Sequence, residues 1–178
     1  MVPPEPSANG KWVAWVVDRF EQPLVRYALQ ITGDLDAARD VVQETFLRLV
    51  RQQHGGQTQG PVQVGPWLFK VCRNRALDVR KKEIRMKAAS GVLVTELDDG
   101  RPSQADSAVE RETAVHVIAL VAALPANQQE AVRLRFEHGL SYREISEVTG
   151  LSVTNVGYLL HTAISSLRKQ IAPAGDSA

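Results

Sequence analysis

Residues 140–167 read LSYREISEVTGLSVTNVGYLLHTAISSL, and this stretch decides the fold. Ser141 and Glu144 have capping-box spacing: a hydroxyl that accepts a first-turn N–H, and a carboxylate that reaches back to the cap's own N–H. A helix therefore starts here, with Ile145 and Val148 facing inward. Gly150 permits the left-handed backbone of a tight turn, and Ser152 caps a second helix only two residues later. In that second helix Val156, Leu160, Ala163 and Leu167 recur at helical intervals and form the inner stripe. Ser152, Thr154, Asn155, Tyr158 and His161 then lie at the cap or on the outer face. Two helices across a short glycine turn are the spacing of a DNA-reading helix-turn-helix, in which asparagine bonds adenine and a threonine methyl meets that of thymine. A plain helical hairpin is the alternative. Charge does not separate the two, because residues 126–170 hold five cations and four acids.

Outward from this motif the apolar periodicity remains helical, and the candidate strands are too short or too glycine-rich to build a sheet. The fold class is all-α, as two small helical domains over residues 10–88 and 108–172 joined by a flexible linker, 89–107. The linker loses the periodicity at Gly91, Asp98, Asp99, Gly100 and Pro102. In the first domain a helix is expected from about Gly10 to Thr32, kinked or restarted at Pro23 and stopped by Gly33. Asp34 is the expected N-cap of the next, whose buried stripe is Ala38, Val42, Thr45, Phe46 and Leu49, to about Arg51. A glycine-rich loop is expected from His54 to Gly65, after which Pro66 reopens a helix with Trp67, Leu68, Val71, Cys72, Ala76 and Val79 inward. In the second domain helices are expected over 108–124, 126–137, 141–149 and 152–171.

The net charge of the 178 residues is +1, but its distribution is uneven. Lys70, Arg73, Arg75, Arg80, Lys81, Lys82, Arg85 and Lys87 face only Asp78 and Glu83 in the same stretch, a local charge of +6. Such a run is either a solvated helix face or a phosphate-binding one. The one cysteine, Cys72, excludes an internal disulfide, and no Cys/His spacing suits zinc, so no metal or other cofactor is expected. His54, His116, His138 and His161 are scattered, without a nucleophile-base arrangement, which argues against an enzyme. MVPPEPSANG lacks the charged start and apolar run of a signal peptide, and no stretch is long enough to span a bilayer; a cytoplasmic protein with no membrane insertion is expected.

Three segments carry a resemblance: DAARDVVQETFLRLVRQ (36–52), PWLFKVCRNRALDVRKK (66–82) and LPANQQEAVRLRFEHGLSYREISEVTGLS (124–152). Together they resemble the extracytoplasmic-function (ECF) group of the sigma-70 family, from about Phe20 to Leu167. The resemblance implies a first domain, region 2, that binds bacterial core RNA polymerase and the promoter minus-ten element, and a second, region 4, whose helix-turn-helix reads the minus-thirty-five element. It implies polymerase contacts at Asp40, Gln43 and Glu44, and minus-ten contacts at Trp67, Arg73, Asn74, Arg75, Arg80, Lys81 and Lys82. For promoter DNA at minus thirty-five it implies Tyr142 and Arg143 beside Ser152, Thr154, Asn155, Tyr158 and His161. An anti-sigma factor is a further partner it suggests.

The sequence departs from the family at two places. The loop over 54–65 falls where the family holds a flipped base but carries no aromatic residue; Trp67 and Phe69 follow it, at a spacing that also suits core packing. Where the family has a run like VGTVKSRLHRAR, this chain has VTNVGYLLHTAI (153–164), without the cations and with Gly157, which costs a helix about 1 kcal/mol relative to alanine. A helix-turn-helix regulator acting without polymerase is the alternative function; it predicts tight duplex binding by the protein alone.

Overall fold

The computed structural model describes residues 10–54, 64–89 and 116–171. Every regular element among them is a helix. The chain divides into two compact units, Met1–Asp98 and Asp99–Ala178. The division falls within the segment read as a linker, of which residues 90–107 lie outside the described residues, as does the expected helical start over 108–115.

The first unit is three mutually packed helices: α1 (Lys11–Thr32), α2 (Leu35–His54) and α3 (Val64–Ala89). Pro23 neither breaks nor restarts α1, which runs through it and keeps its buried stripe of Trp12, Val16, Leu24, Tyr27 and Ala28. Gly33 ends α1 at φ 70°, where a side chain is strained, and its N–H donates to Leu29 O at 2.7 Å. The Asp34 carboxylate accepts from the Ala37 N–H at 2.7 Å, the expected cap of α2. Thr32, in the buried end of α1, donates to the Ala28 carbonyl at 3.0 Å, and buried Thr45 donates to Val41 O at 2.8 Å, so neither hydroxyl is left unsatisfied in the core.

Two boundaries differ from expectation. Helix α2 continues to His54, past Arg51, and α3 begins at Val64, two residues before Pro66. Val64 is 1% exposed, so burial draws it into the first turn, where proline is tolerated at the third position because its N–H has no intrahelical partner. The loop is therefore shorter at both ends than 54–65, and residues 55–63 lie outside the described residues. The inward face of α3 is Leu68, Phe69, Cys72 and Ala76, while Trp67, Val71 and Val79 are half-buried. Phe69 meets Tyr27 edge to face, centroids 5.3 Å apart. Burial pushes the Cys72 thiol up to about 12, with a Thr45 hydrogen bond acting weakly the other way.

The second unit holds α4 (116–122), α5 (Ala126–Phe136), α6 (Tyr142–Thr149) and α7 (Val153–Ile171). Gln129 Nε2 donates to the Ala122 and Leu124 carbonyls, both at 2.8 Å, and so satisfies the end of α4 from the first turns of α5. The core is Leu124, Ala131, Leu134 and Leu140, Ile145 and Val148 of α6, and Val156, Leu159, Leu160 and Ala163 of α7. Leu167, expected inside, is half-buried.

Candidate nucleic-acid and polymerase interface

The helix-turn-helix is built by local hydrogen bonds. The Ser141 N–H donates to Glu144 Oε2 at 2.7 Å and the Glu144 N–H to Ser141 Oγ at 3.3 Å, closing the capping box. At the other end of α6, Gly150 has φ 77° and its N–H reaches Ser146 O at 2.9 Å. Ser146 Oγ then donates to Leu151 O at 2.6 Å, while Thr149 Oγ1 accepts from the Leu151 N–H at 3.3 Å. Three hydrogen bonds thus fix the turn, and the Asn155 N–H donates to Ser152 Oγ at 3.2 Å to start α7.

On α7, Ser152, Thr154, Asn155, Tyr158 and His161 are all exposed, opposite the buried stripe. Ser152 accepts its cap hydrogen bond and so acts first as a positioning group. Tyr142, at the start of α6, is held by the Arg135 guanidinium 5.7 Å from its ring centroid, and Arg135 Nη1 also donates to Leu140 O at 3.0 Å. The Tyr142 ring lies over Gly157: a Cβ there would meet Cε2 at 3.7 Å, an ordinary contact. Arg143 is exposed and pairs loosely with Glu147, one turn on, at 3.7 Å. Val153, 48% exposed beside these groups, was not among the expected site residues; it shares the spacing of Val156 and Leu160, so nothing in the sequence sets it apart from the core stripe.

In the first unit the cations of α3 divide in two. Arg73 and Arg75 are half-buried where α3 packs on the other helices, whereas Asn74, Arg80, Lys81 and Lys82 are exposed. After Ala76 no residue of α3 is buried, and Ile84 and Met86 are 44% and 62% exposed. The last turns of α3 therefore offer charge without contributing to the core. Lys87 is paired with Glu83 at 2.6 Å. Trp67 is half-buried, and Phe69, at 2% exposure, is core and closed to a stacking base.

On α2, Asp40 and Gln43 are exposed and Glu44 is half-buried. Glu44 Oε2 accepts from Arg75 Nε at 2.5 Å, so a residue read as a polymerase contact and one read as a DNA contact hold each other. Asp40 and Gln43 sit on the lining of a groove of about 650 Å³ between α1 and α2, whose apolar floor includes Val13, Val17, Val25, Phe46 and Leu47. Phe46, expected inside, is half-buried because it faces this groove. The groove was missed in the sequence; its signal was Leu47, an apolar residue off the inner stripe of α2 and 48% exposed. Among the described residues no His/Cys/Asp/Glu group could hold a metal, and no helix is long and apolar enough to cross a membrane.

Known proteins match both units. The Sigma-70 region 2 family matches residues 16–86, and the Sigma-70, region 4 family matches residues 116–167. The ECF RNA polymerase sigma factor SigL of Mycobacterium tuberculosis is 30% identical over 171 residues, which cover 95% of this chain and 94% of SigL. SigM of Bacillus subtilis, another ECF RNA polymerase sigma factor, is 28% identical over 86% of this chain and 91% of its own. The probable RNA polymerase sigma factor RfaY of Xanthomonas campestris is 28% identical over 91% of this chain, but the match covers only 41% of RfaY. Among solved structures, the sigma factor RpoE from Bartonella quintana, in complex with the anti-sigma factor NepR, superposes with a TM-score of 0.66 at 21% identity, covering 88% of this chain and 94% of that one. CnrH, in complex with the cytosolic domain of CnrY, gives 0.58 at 22% identity, over 93% and 90%. These two likenesses concern the fold.

Proposed function

The chain belongs to the ECF RNA polymerase sigma factors of the sigma-70 family, and on that premise we propose how its own residues carry out promoter recognition and initiation. It binds bacterial core RNA polymerase through Asp40, Gln43 and Glu44 on α2. It engages the minus-ten region through α3, where Arg80, Lys81 and Lys82 meet the phosphates of the opening strand, Asn74 is exposed one to two turns earlier, and Trp67, Arg73 and Arg75 are half-buried. It reads the minus-thirty-five element with Thr154, Asn155, Tyr158 and His161 of α7, flanked by Ser152, Tyr142 and Arg143. The chemistry of RNA synthesis stays with the polymerase, and the chain itself is no enzyme. It acts in the cytoplasm, and an anti-sigma factor is a further partner in this reading, prompted by the complexes in which RpoE and CnrH were solved.

The observation that carries the reading is the pairing in one chain of two unlike units. One is a three-helix unit whose last helix extends its cations past the core; the other is a capped helix-turn-helix of nearly balanced charge, with no lysine or arginine between Arg143 and Arg168. A helix-turn-helix with so few cations gains little from counterion release and needs a second attachment to stay on DNA. Run-off transcription tests this: purified protein is added to sigma-free core polymerase on genomic fragments, and transcript starts are sequenced. Discrete new starts are expected. Silence, together with duplex binding in the absence of polymerase, would instead identify a regulator acting alone.

A further inference from the structure

Between Arg143 and Arg168 the chain has no lysine or arginine, so α7 brings no cation to the outward surface of the helix-turn-helix; the cations beside it are Arg143, which pairs with Glu147, and Arg135, which is engaged with the Tyr142 ring. What the surface exposes instead is apolar. Val153 is 48% exposed, Tyr158 65% and Tyr142 42%. At about 100° per residue, Gly157, His161, Thr154 and Tyr158 fall within an arc of about 100° on the side of α7 away from Val156, Leu159, Leu160 and Ala163, and Val153 stands at the boundary between that arc and the buried stripe. Tyr142 reaches the Val153 edge of that arc from α6, its ring lying over Gly157 at a distance where an added methyl would make an ordinary 3.7 Å contact. Two tyrosine rings, a valine and the methyl of Thr154 therefore adjoin the positions of Asn155 and His161 in one continuous face.

Resting on the sigma reading above, we propose that this face selects its minus-thirty-five element by thymine methyl groups packed against Tyr142, Val153, Thr154 and Tyr158, with backbone phosphates contributing little. The major groove presents one apolar group, the thymine C5-methyl, and the remainder of its base edges are hydrogen-bonding atoms. An apolar protein face placed there gains only where methyls meet it, and elsewhere it strips water from polar base edges without replacing the lost hydrogen bonds. The element is accordingly rich in A·T pairs, with Asn155 available for an adenine. Selection of this kind depends weakly on salt, since few counterions are released.

The test removes the methyl and nothing else. Holoenzyme is assembled from this chain and core polymerase, and the promoter fragment mapped by run-off is rebuilt with uracil in place of each thymine of the minus-thirty-five element. Initiation should fall about fourfold for each methyl that is packed, the equivalent of about 0.8 kcal/mol per buried carbon. Val153→Ala and Tyr158→Ala, both at exposed positions, should each abolish the sensitivity at one thymine and leave it at another. Uracil promoters that initiate as well as thymine ones overturn the proposal, as does an element built of G·C pairs alone. A uracil loss that is unchanged at every thymine in both variants overturns it too, because the methyls would then act through DNA shape. Absence of any discrete start on unmodified DNA is a different failure, that of the sigma reading itself.

Discussion

The two helices proposed to meet DNA carry opposite chemistry. Helix α3 leaves its core after Ala76 and carries Arg80, Lys81, Lys82 and Arg85 into solvent; α7 is held to its core as far as Ala163 and has no lysine or arginine before Arg168. A melting strand keeps its phosphates while its bases unpair, so a charge array that follows phosphates suits it, whereas a duplex groove presents a fixed pattern that a face with few cations can match. If these roles hold, affinity and selectivity are weighted differently in the two units, the first adding salt-sensitive attraction to its contacts with the minus-ten element and the second relying on discrimination.

That division can be broken most forcefully at α3. Replacing Arg80, Lys81 and Lys82 with alanine should lower promoter opening about tenfold to a hundredfold at low salt, with the gap to the unaltered protein narrowing as salt rises, since three phosphate contacts account for about two units of the log–log salt slope. Opening measured across a salt series checks this, and an unchanged slope would mean that the overhang is only a solvated face. A smaller effect is expected at the turn. Ser141→Ala removes the acceptor of the Glu144 N–H and should destabilise the second unit by about 1 kcal/mol in denaturant titration, leaving the salt slope of opening untouched. A change in that slope would show that the units do not divide the work. The smallest expected effect has the opposite sign: Gly157→Ala should stabilise α7 by about 0.5–1 kcal/mol, because the added methyl meets Tyr142 at ordinary contact distance. Thermal unfolding of the variant checks it, and destabilisation would show that the ring cannot accommodate even a methyl.

What was legible in the sequence was local. Capping at Ser141, Asp34 and Ser152, and left-handed stops at Gly33 and Gly150, each depend on groups within a few residues of one another, and their spacing alone declares them. Contacts made across helices were not legible. Glu44 and Arg75 are 31 positions apart, Tyr142 and Gly157 lie on different helices, and no periodicity announces either pair. The groove between α1 and α2 was missed for a related reason. An apolar residue such as Phe46 reads the same whether it packs inward or lines a cleft, so the stripe of α2 was drawn as all core. Val64 shows the converse, a residue read as loop that burial places inside a helix.

Cys72 gives the molecule a clock that runs on one unit only. It is the single thiol of the 178 residues, it is fully buried in the first unit, and its proton is held up to a pH of about 12. A thiol reagent in neutral solution therefore waits for that unit to open, and the modification rate counts openings of the three-helix unit while the helix-turn-helix unit stays silent. The raised value also sets a limit in pH. An unfolded thiol ionises near 9.0 and the folded one near 12, so the preference for the folded state is complete below 9 and is lost as pH climbs through that window. Any partner that clamps the first unit slows the clock, which makes its docking measurable without a label on either protein.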